Sequence, residues 1–247
     1  MIKFERPATL EHPKIHHKFK AFDADSSVKA NFIIQDLPTE RYDDAVKFML
    51  EYFVAEEPAF KSRDIKLDKL AVIEISRIFR HNLAQNVSIV CFKEGNDEII
   101  AVNVLGVKVN NEDEDEGYED EDKRITSKDL QDIISLHNLL EKQFNAYKTF
   151  DTDSYLSDFG LAVHPDYRRR RIGTEMLKTR TKLLKDLELK ATISHFIGIA
   201  SQHLAIKANY DESYEMSYDN LYRINTNFYF SGVDGLSVKI MSLNLSP

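Results

Sequence analysis

Val163-His164-Pro165-Asp166-Tyr167-Arg168-Arg169-Arg170-Arg171-Ile172-Gly173-Thr174 joins two stretches of different periodicity. Ahead of it, Ser154 to Ala162 is rich in aromatic and branched residues and reads as a strand. Behind it, Ile172, Met176, Leu183, Leu184 and Leu187 recur at helical spacing. A strand that runs through a basic, Gly-containing turn into a helix gathers unpaired backbone N–H groups at one spot. The positive end of the helix dipole falls at the same place. Phosphate or pyrophosphate suits such a spot, and guanidinium groups pair with phosphate oxygens in a fixed fork. The alternative is an ordinary strand–turn–helix with a solvated basic turn. Gly160 and Ala162 share one face of the preceding strand, where a glycine marks close approach by a ligand or another backbone.

At these residues the chain resembles the GCN5-related N-acetyltransferases, whose acetyl-CoA loop follows Arg/Gln-x-x-Gly-x-Gly/Ala. Arg168 and Gly173 match its first and last positions, and Val163-x-Pro165-x-Tyr167-Arg168 matches the family lead-in. Arg171 stands where the middle glycine is expected. If that position needs positive φ, the strain is about 1–3 kcal/mol. One charge-assisted hydrogen bond contributes about 1.5–3 kcal/mol and can offset it. The resemblance implies acetyl-CoA held by Leu161, Ala162 and Val163 through the strand backbone, and by Arg168, Arg169, Arg170, Arg171, Ile172, Gly173 and Thr174 around the phosphates.

Composition sets the outer bounds. The chain has 247 residues, 43% hydrophobic and 30% charged, as expected of a globular protein with a full core. No apolar run is long enough to span a bilayer, and the N-terminus lacks the apolar stretch of a signal peptide. The single cysteine, Cys91, sits in the apolar run Val87 to Phe92 and reads as a buried thiol rather than a nucleophile. One cysteine forms no internal disulfide, which points to a reducing, cytoplasmic setting.

Net charge is −8, but nine acidic residues lie between Glu112 and Asp122. Without them 33 basic residues face 32 acidic ones, so the acidity belongs to one insertion, 110–123. It reads as a solvated loop, with attraction of cationic amines as the rival reading. The arginine run has no accompanying basic patch or aromatic platform, so neither nucleic acid nor membrane is an expected partner. Oligomeric state is open between a monomer and a weak dimer.

Residues 1–30 read as an irregular arm, and 31–247 as a single domain. Asn31–Gln35 is the first expected strand. Helices follow from Leu37 to about Glu56 and over about Leu67–Asn82. Val87–Phe92 and Glu98–Val109 form a hairpin around Glu94-Gly95-Asn96-Asp97. Ser127–Tyr147 is a long helix, with Ser127 a candidate N-cap. A strand at Ala191–Ile199, a helix from Ser201 to about Asn209, and strands near Tyr214–Tyr218 and Leu236–Leu245 complete the chain. This order matches the α/β, α+β-mixed acetyltransferase fold. That fold is a mostly antiparallel sheet of about seven strands, with a parallel pair splayed at the acetyl-CoA site and helices on both sides.

The N-terminal arm, Glu56-Glu57-Pro58 and Ala200-Ser201-Gln202-His203 are similar to the arylalkylamine N-acetyltransferase-like proteins of insects. This implies a small primary amine as acceptor, with Glu57 as base through ordered water and Ser201 as a catalytic hydroxyl. Their structural alternatives are an exposed helix-end glutamate and a helix N-cap. A second serine of those relatives falls at Ala205, and their Pro-His pair before the last strand falls at Asp234-Gly235. Tyr210 lies one residue from the tyrosine acid of other branches, about 100° off that helix face. The general acid is therefore unassigned. His164, His195 and His203 read as packing or solvated, and no spacing suggests a metal. The rival readings are a polyamine or protein-amine acetyltransferase, and an acyl-CoA-binding module without catalysis.

Overall fold

Period-2 alternation in the strands divides the interior into two cores, one on each face of a single sheet. The computed structural model describes residues 4–25, 27–110 and 125–245; most of the acidic insertion lies outside them. In chain order the strands are β1 (Ile15–Phe22), β2 (Lys29–Asp36), β3 (Ile89–Lys93), β4 (Ile99–Val109), β5 (Ser154–Val163), β6 (Ala191–Phe196), β7 (Asp211–Ser217) and β8 (Ser237–Asn244). The helices are α1 (Tyr42–Met49), α2 (Pro58–Ser62), α3 (Lys69–Leu83), α4 (Lys128–Gln143), α5 (Ala146–Phe150), α6 (Ile172–Asp186), α7 (Ile199–Lys207) and α8 (Tyr218–Ile224).

The sheet runs β1-β2-β3-β4-β5-β6-β8-β7, eight strands rather than about seven. Every neighbouring pair is antiparallel except β5 and β6. The extra strand is β1, so residues 15–22 of the expected irregular arm pair with β2. Val90, Val102 and Ile193 face a core shared with Phe79 of α3 and Leu136 of α4. Cys91, Ala101 and Leu156 face the opposite core, closed by Met176 and Leu183 of α6. Burial of both faces explains why β3 and β4 read as nearly continuous apolar runs.

Two local features differ from the expected helices. After α1 the helix widens into a π turn over Leu50–Val54 before the Glu56-Glu57-Pro58 turn. The long helix from Ser127 ends at Gln143, and α5 follows separately. Ser127 is its N-cap as expected, accepting from the Leu130 N–H, and it also donates to Asp68 at 2.8 Å.

The feature that positions the site is the junction of β5 and β6. They pair only at Leu156↔Thr192 and Ser157↔Ile193, then part. The space is held open from the α6 side by Arg180, which is fully buried. Its guanidinium donates to Asn103 Oδ1 at 2.9 Å, Ser194 Oγ at 2.6 Å and Asp158 Oδ2 at 2.7 Å. Asp158 Oδ1 accepts from Gly160 N and from Asn103 Nδ2, and the register of β4 against β5 shifts at this level. Gly160 has φ +131°, and a Cβ there would lie within 2.9 Å of Met49 and Phe53 side-chain atoms. Both conformation and space therefore require glycine at this bend.

Candidate functional site

Where β5 and β6 part, one cavity of about 940 Å³ opens between the π turn that follows α1, helices α2, α3, α4, α6 and α7, and the sheet. Its two ends are chemically different. One end is the turn into α6. Arg169 and Arg171 both adopt left-handed backbone, with φ 58° and 70°, and no side chain caps α6. The first-turn N–H groups of a helix have no intrahelical partners, so those of Ile172, Gly173 and Thr174 are available to an anion. All three residues line the cavity. Positive φ at Arg171 is the conformation for which the missing glycine would be suited.

The arginines diverge from this turn. Arg168 donates through Nε to Val163 O at 3.0 Å, and its guanidinium pairs with Glu56. Arg170 turns outward, donating to Asp166 O and Ala24 O, and is absent from the cavity wall. Arg171 is 77% exposed and reaches Glu175 at 3.2 Å. Arg169 and Arg171 line the cavity, as do His203 and Lys207 of α7. Gly173 is not in a glycine-only conformation. Its Cβ would meet Leu204 Cδ2 at 3.2 Å, so the residue is small because α6 packs closely on α7. Leu161, Ala162 and Val163 form the cavity edge of β5 beyond its pairing with β6.

At the other end stands the Glu56-Glu57-Pro58 turn. Glu57 is half-buried in the wall, not an exposed helix end. Its Oε2 accepts from Phe60 N at 3.0 Å, capping α2. Desolvation pushes its carboxyl up to about 7, against the lowering effect of the Phe60 and Ala59 N–H groups. That is the range for a group that takes a proton near neutral pH. Asp234 lies nearby at the rim and is exposed. Its Oδ1 accepts from Ile199 N at 3.3 Å, so it caps α7 from a distant loop. Ser201 lines the cavity but is not the N-cap; Gly198 holds that position, and the Ser201 hydroxyl donates to Gly198 O at 2.8 Å.

Several sequence candidates sit elsewhere. Tyr210 is buried, 3.4 Å from Leu177 O. His164 accepts from Asp166 N and packs edge-on against Tyr52. Cys91 is buried, and burial alone raises its thiol far above the ordinary range. Among the described residues no group of three or more metal-ligating side chains converges. Likewise no helix there is long and apolar enough to cross a membrane.

Two constellations were not anticipated. The Arg180 network is one. The other is a contact between His137 of α4 and His195 of β6, whose Nδ1 atoms are 2.7 Å apart at the cavity wall. A sequence signal for the first existed: Arg180 lies four residues after Met176 and three before Leu183, on the apolar stripe of α6.

Residues 135–207 match the model of the Acetyltransferase (GNAT) family. Among solved structures, a candidate arylalkylamine N-acetyltransferase, numbered 7, from the yellow fever mosquito Aedes aegypti is similar at 31% identity. The match covers 99% of this chain and 100% of that one, with a TM-score of 0.92. Arylalkylamine N-acetyltransferase 2 from Aedes aegypti shares the fold at 19% identity and TM-score 0.72, covering 87% of this chain and 99% of that one. A Drosophila melanogaster polyamine N-acetyltransferase that forms N-acetylagmatine shares it at 18% identity and TM-score 0.67, covering 87% of this chain and all of that one. No curated protein matches.

Proposed function

Since the chain belongs to the acetyltransferase (GNAT) family, we propose that it transfers an acetyl group from acetyl-CoA to a small primary amine by direct attack within a ternary complex. The observation that carries this reading is that the uncapped N-terminus of α6 and the half-buried Glu57 open onto the same cavity.

The cavity wall suits an acyl-CoA thioester. The N–H groups of residues 169–174 and the Arg168, Arg169 and Arg171 side chains surround the place for its pyrophosphate. Arg170 holds the turn through the N-terminal arm instead of reaching inward. The free edge of Leu161–Val163 offers main-chain groups to the pantetheine arm. Bound there, acetyl-CoA supplies an activated acetyl group; everything else falls to side chains and backbone. Glu57 takes a proton from the ammonium form of the acceptor, directly or through water, since an alkylammonium is no nucleophile. A backbone N–H of β5 stabilises the charge that develops on the carbonyl oxygen. Ser201 is the hydroxyl within the wall that exchanges its bond to Gly198 O for one to the leaving sulfur. Cys91 has no access to the cavity wall, which favours direct transfer over an acetyl-enzyme. The buried single thiol also supports the cytoplasmic assignment.

A polyamine or protein amine is the second reading for the acceptor. The exposed Asp234 carboxylate beside the Glu57 end of the cavity favours it. CoA release, measured over a panel of aryl, alkyl and polyamine acceptors, tests the proposal. Turnover with at least one primary amine is expected. Acetyl-CoA binding without turnover across the panel would leave a binding module in place of an enzyme.

A further inference from the structure

His137 and His195 share one proton. Their Nδ1 atoms are 2.7 Å apart and their rings lie within 13° of parallel. Two N–H groups cannot face each other at that distance, so one ring donates, the other accepts, and the two are opposite tautomers. Desolvation holds protonation of both rings well below the ordinary imidazole range. The pair therefore stays neutral and joined through neutral pH. Its charged neighbours leave it so: Lys108 of β4 donates to both oxygens of Glu141 on α4 at 2.6 Å, and Asp158 of β5 is already paired with Arg180.

The position of the pair gives it a meaning. His195 is the next residue on the Ile193 face of β6, just past the last β5–β6 pairing at Ser157↔Ile193. It stands at the closed end of the splay, on the α4 side, while Arg180 fills the other side. Beyond the pair the cavity continues to Phe144, Ala146 and Tyr155. Tyr155 lies two residues before Ser157 on β5, so this recess runs under α4 and over the paired part of the strands.

Given the cofactor path proposed above, on which this inference rests, pantetheine follows Leu161–Val163 and brings the thioester to the closed end of the splay. We propose that the His137–His195 pair sets the length of the acyl group by narrowing the way into the recess behind it to less than the width of an alkyl chain. The methyl of an acetyl group fits in front of the pair. A longer chain reaches the recess only by parting the rings, which leaves desolvated imidazole nitrogens without partners.

Calorimetric titration of the full chain with acetyl-, butanoyl- and hexanoyl-CoA, without amine, tests this apart from turnover. Wild-type affinity is expected not to rise with chain length. In His195→Ala the recess is open, and affinity should rise by about fourfold per added methylene. His195→Phe refills the space and should return the wild-type pattern. His137→Ala reads the same opening from the α4 side if His195→Ala does not fold. A folded alanine variant whose hexanoyl-to-acetyl ratio equals wild type overturns the gauge alone, as does a raised ratio in His195→Phe. Wild-type protein that binds no CoA thioester refutes the cofactor path, and the gauge with it.

Discussion

Glu56 and Arg168, 112 residues apart in sequence, form an ion pair that ties the turn carrying Glu57 to the loop leading into α6. The two ends of the cavity are thereby coupled at its entrance. Arg168 is also fixed by Val163 O, so the pair sets where the Glu57 turn stands relative to β5.

Both partners are more than a third exposed, and exposed pairs contribute little to folding, about 0–1 kcal/mol. Glu56→Gln is therefore expected to leave the urea midpoint nearly unchanged while lowering kcat/KM several-fold. Stability loss well beyond about 1 kcal/mol would assign the pair to the fold rather than the site.

Glu57 has its proton affinity raised to about 7, so kcat/KM should climb with pH through that value as the carboxylate forms. Glu57→Gln should flatten the profile and lower the plateau by about 10²–10⁴-fold, with acetyl-CoA affinity nearly intact. The fold prefers the neutral carboxyl, so this group's stabilising contribution is full below the unfolded value of 4.5 and is lost as pH rises through about 7. Unfolding curves of the Gln variant should lack that slope. An unaltered pH–rate profile would remove Glu57 from the proton path.

Arg180→Met leaves Asp158 with no cation in a mostly buried setting. Breaking a buried pair from one side costs about 3–5 kcal/mol, and chemical denaturation should show a loss of that size. A change below about 1 kcal/mol would mean that Asn103 and Gly160 alone hold the carboxylate.

Arg171 occupies left-handed backbone with an exposed side chain whose ion pair with Glu175 is weak by position. Glycine relieves a strain of about 1–2 kcal/mol at such a residue, against a smaller cost, about 0.5–1 kcal/mol, from the greater freedom it gives the unfolded chain. Arg171→Gly should raise the unfolding free energy by about 0.5–1 kcal/mol. Destabilisation would show that the Glu175 contact outweighs the backbone.

The loop into α6 was legible because strand period, Gly173 and helix period meet within a dozen residues. Ser127 was legible as a cap for the same local reason. The features that escaped depended on distant chain. Ile15–Phe22 alternates with lysines and histidines, and becomes a strand only because β2 offers it an edge. Ser201 looked like a cap because serine so often is one, yet Asp234 from another loop supplies the acceptor. Arg180 stands on the apolar stripe of α6, which marks it as buried, but only the third dimension places Asp158, Asn103 and Ser194 around it.

β1 covers the outer edge of β2, and Arg6, Lys14 and His16 pin it there through the buried Asp36 carboxylate. A chain shortened past Phe22 would keep the whole cavity but bare a row of unpaired main-chain groups along β2. Such an edge invites strand addition from another molecule. Shortening this chain for crystallisation would thus trade a tidy N-terminus for a sticky one, and aggregation would reflect a lost selvedge rather than a damaged site.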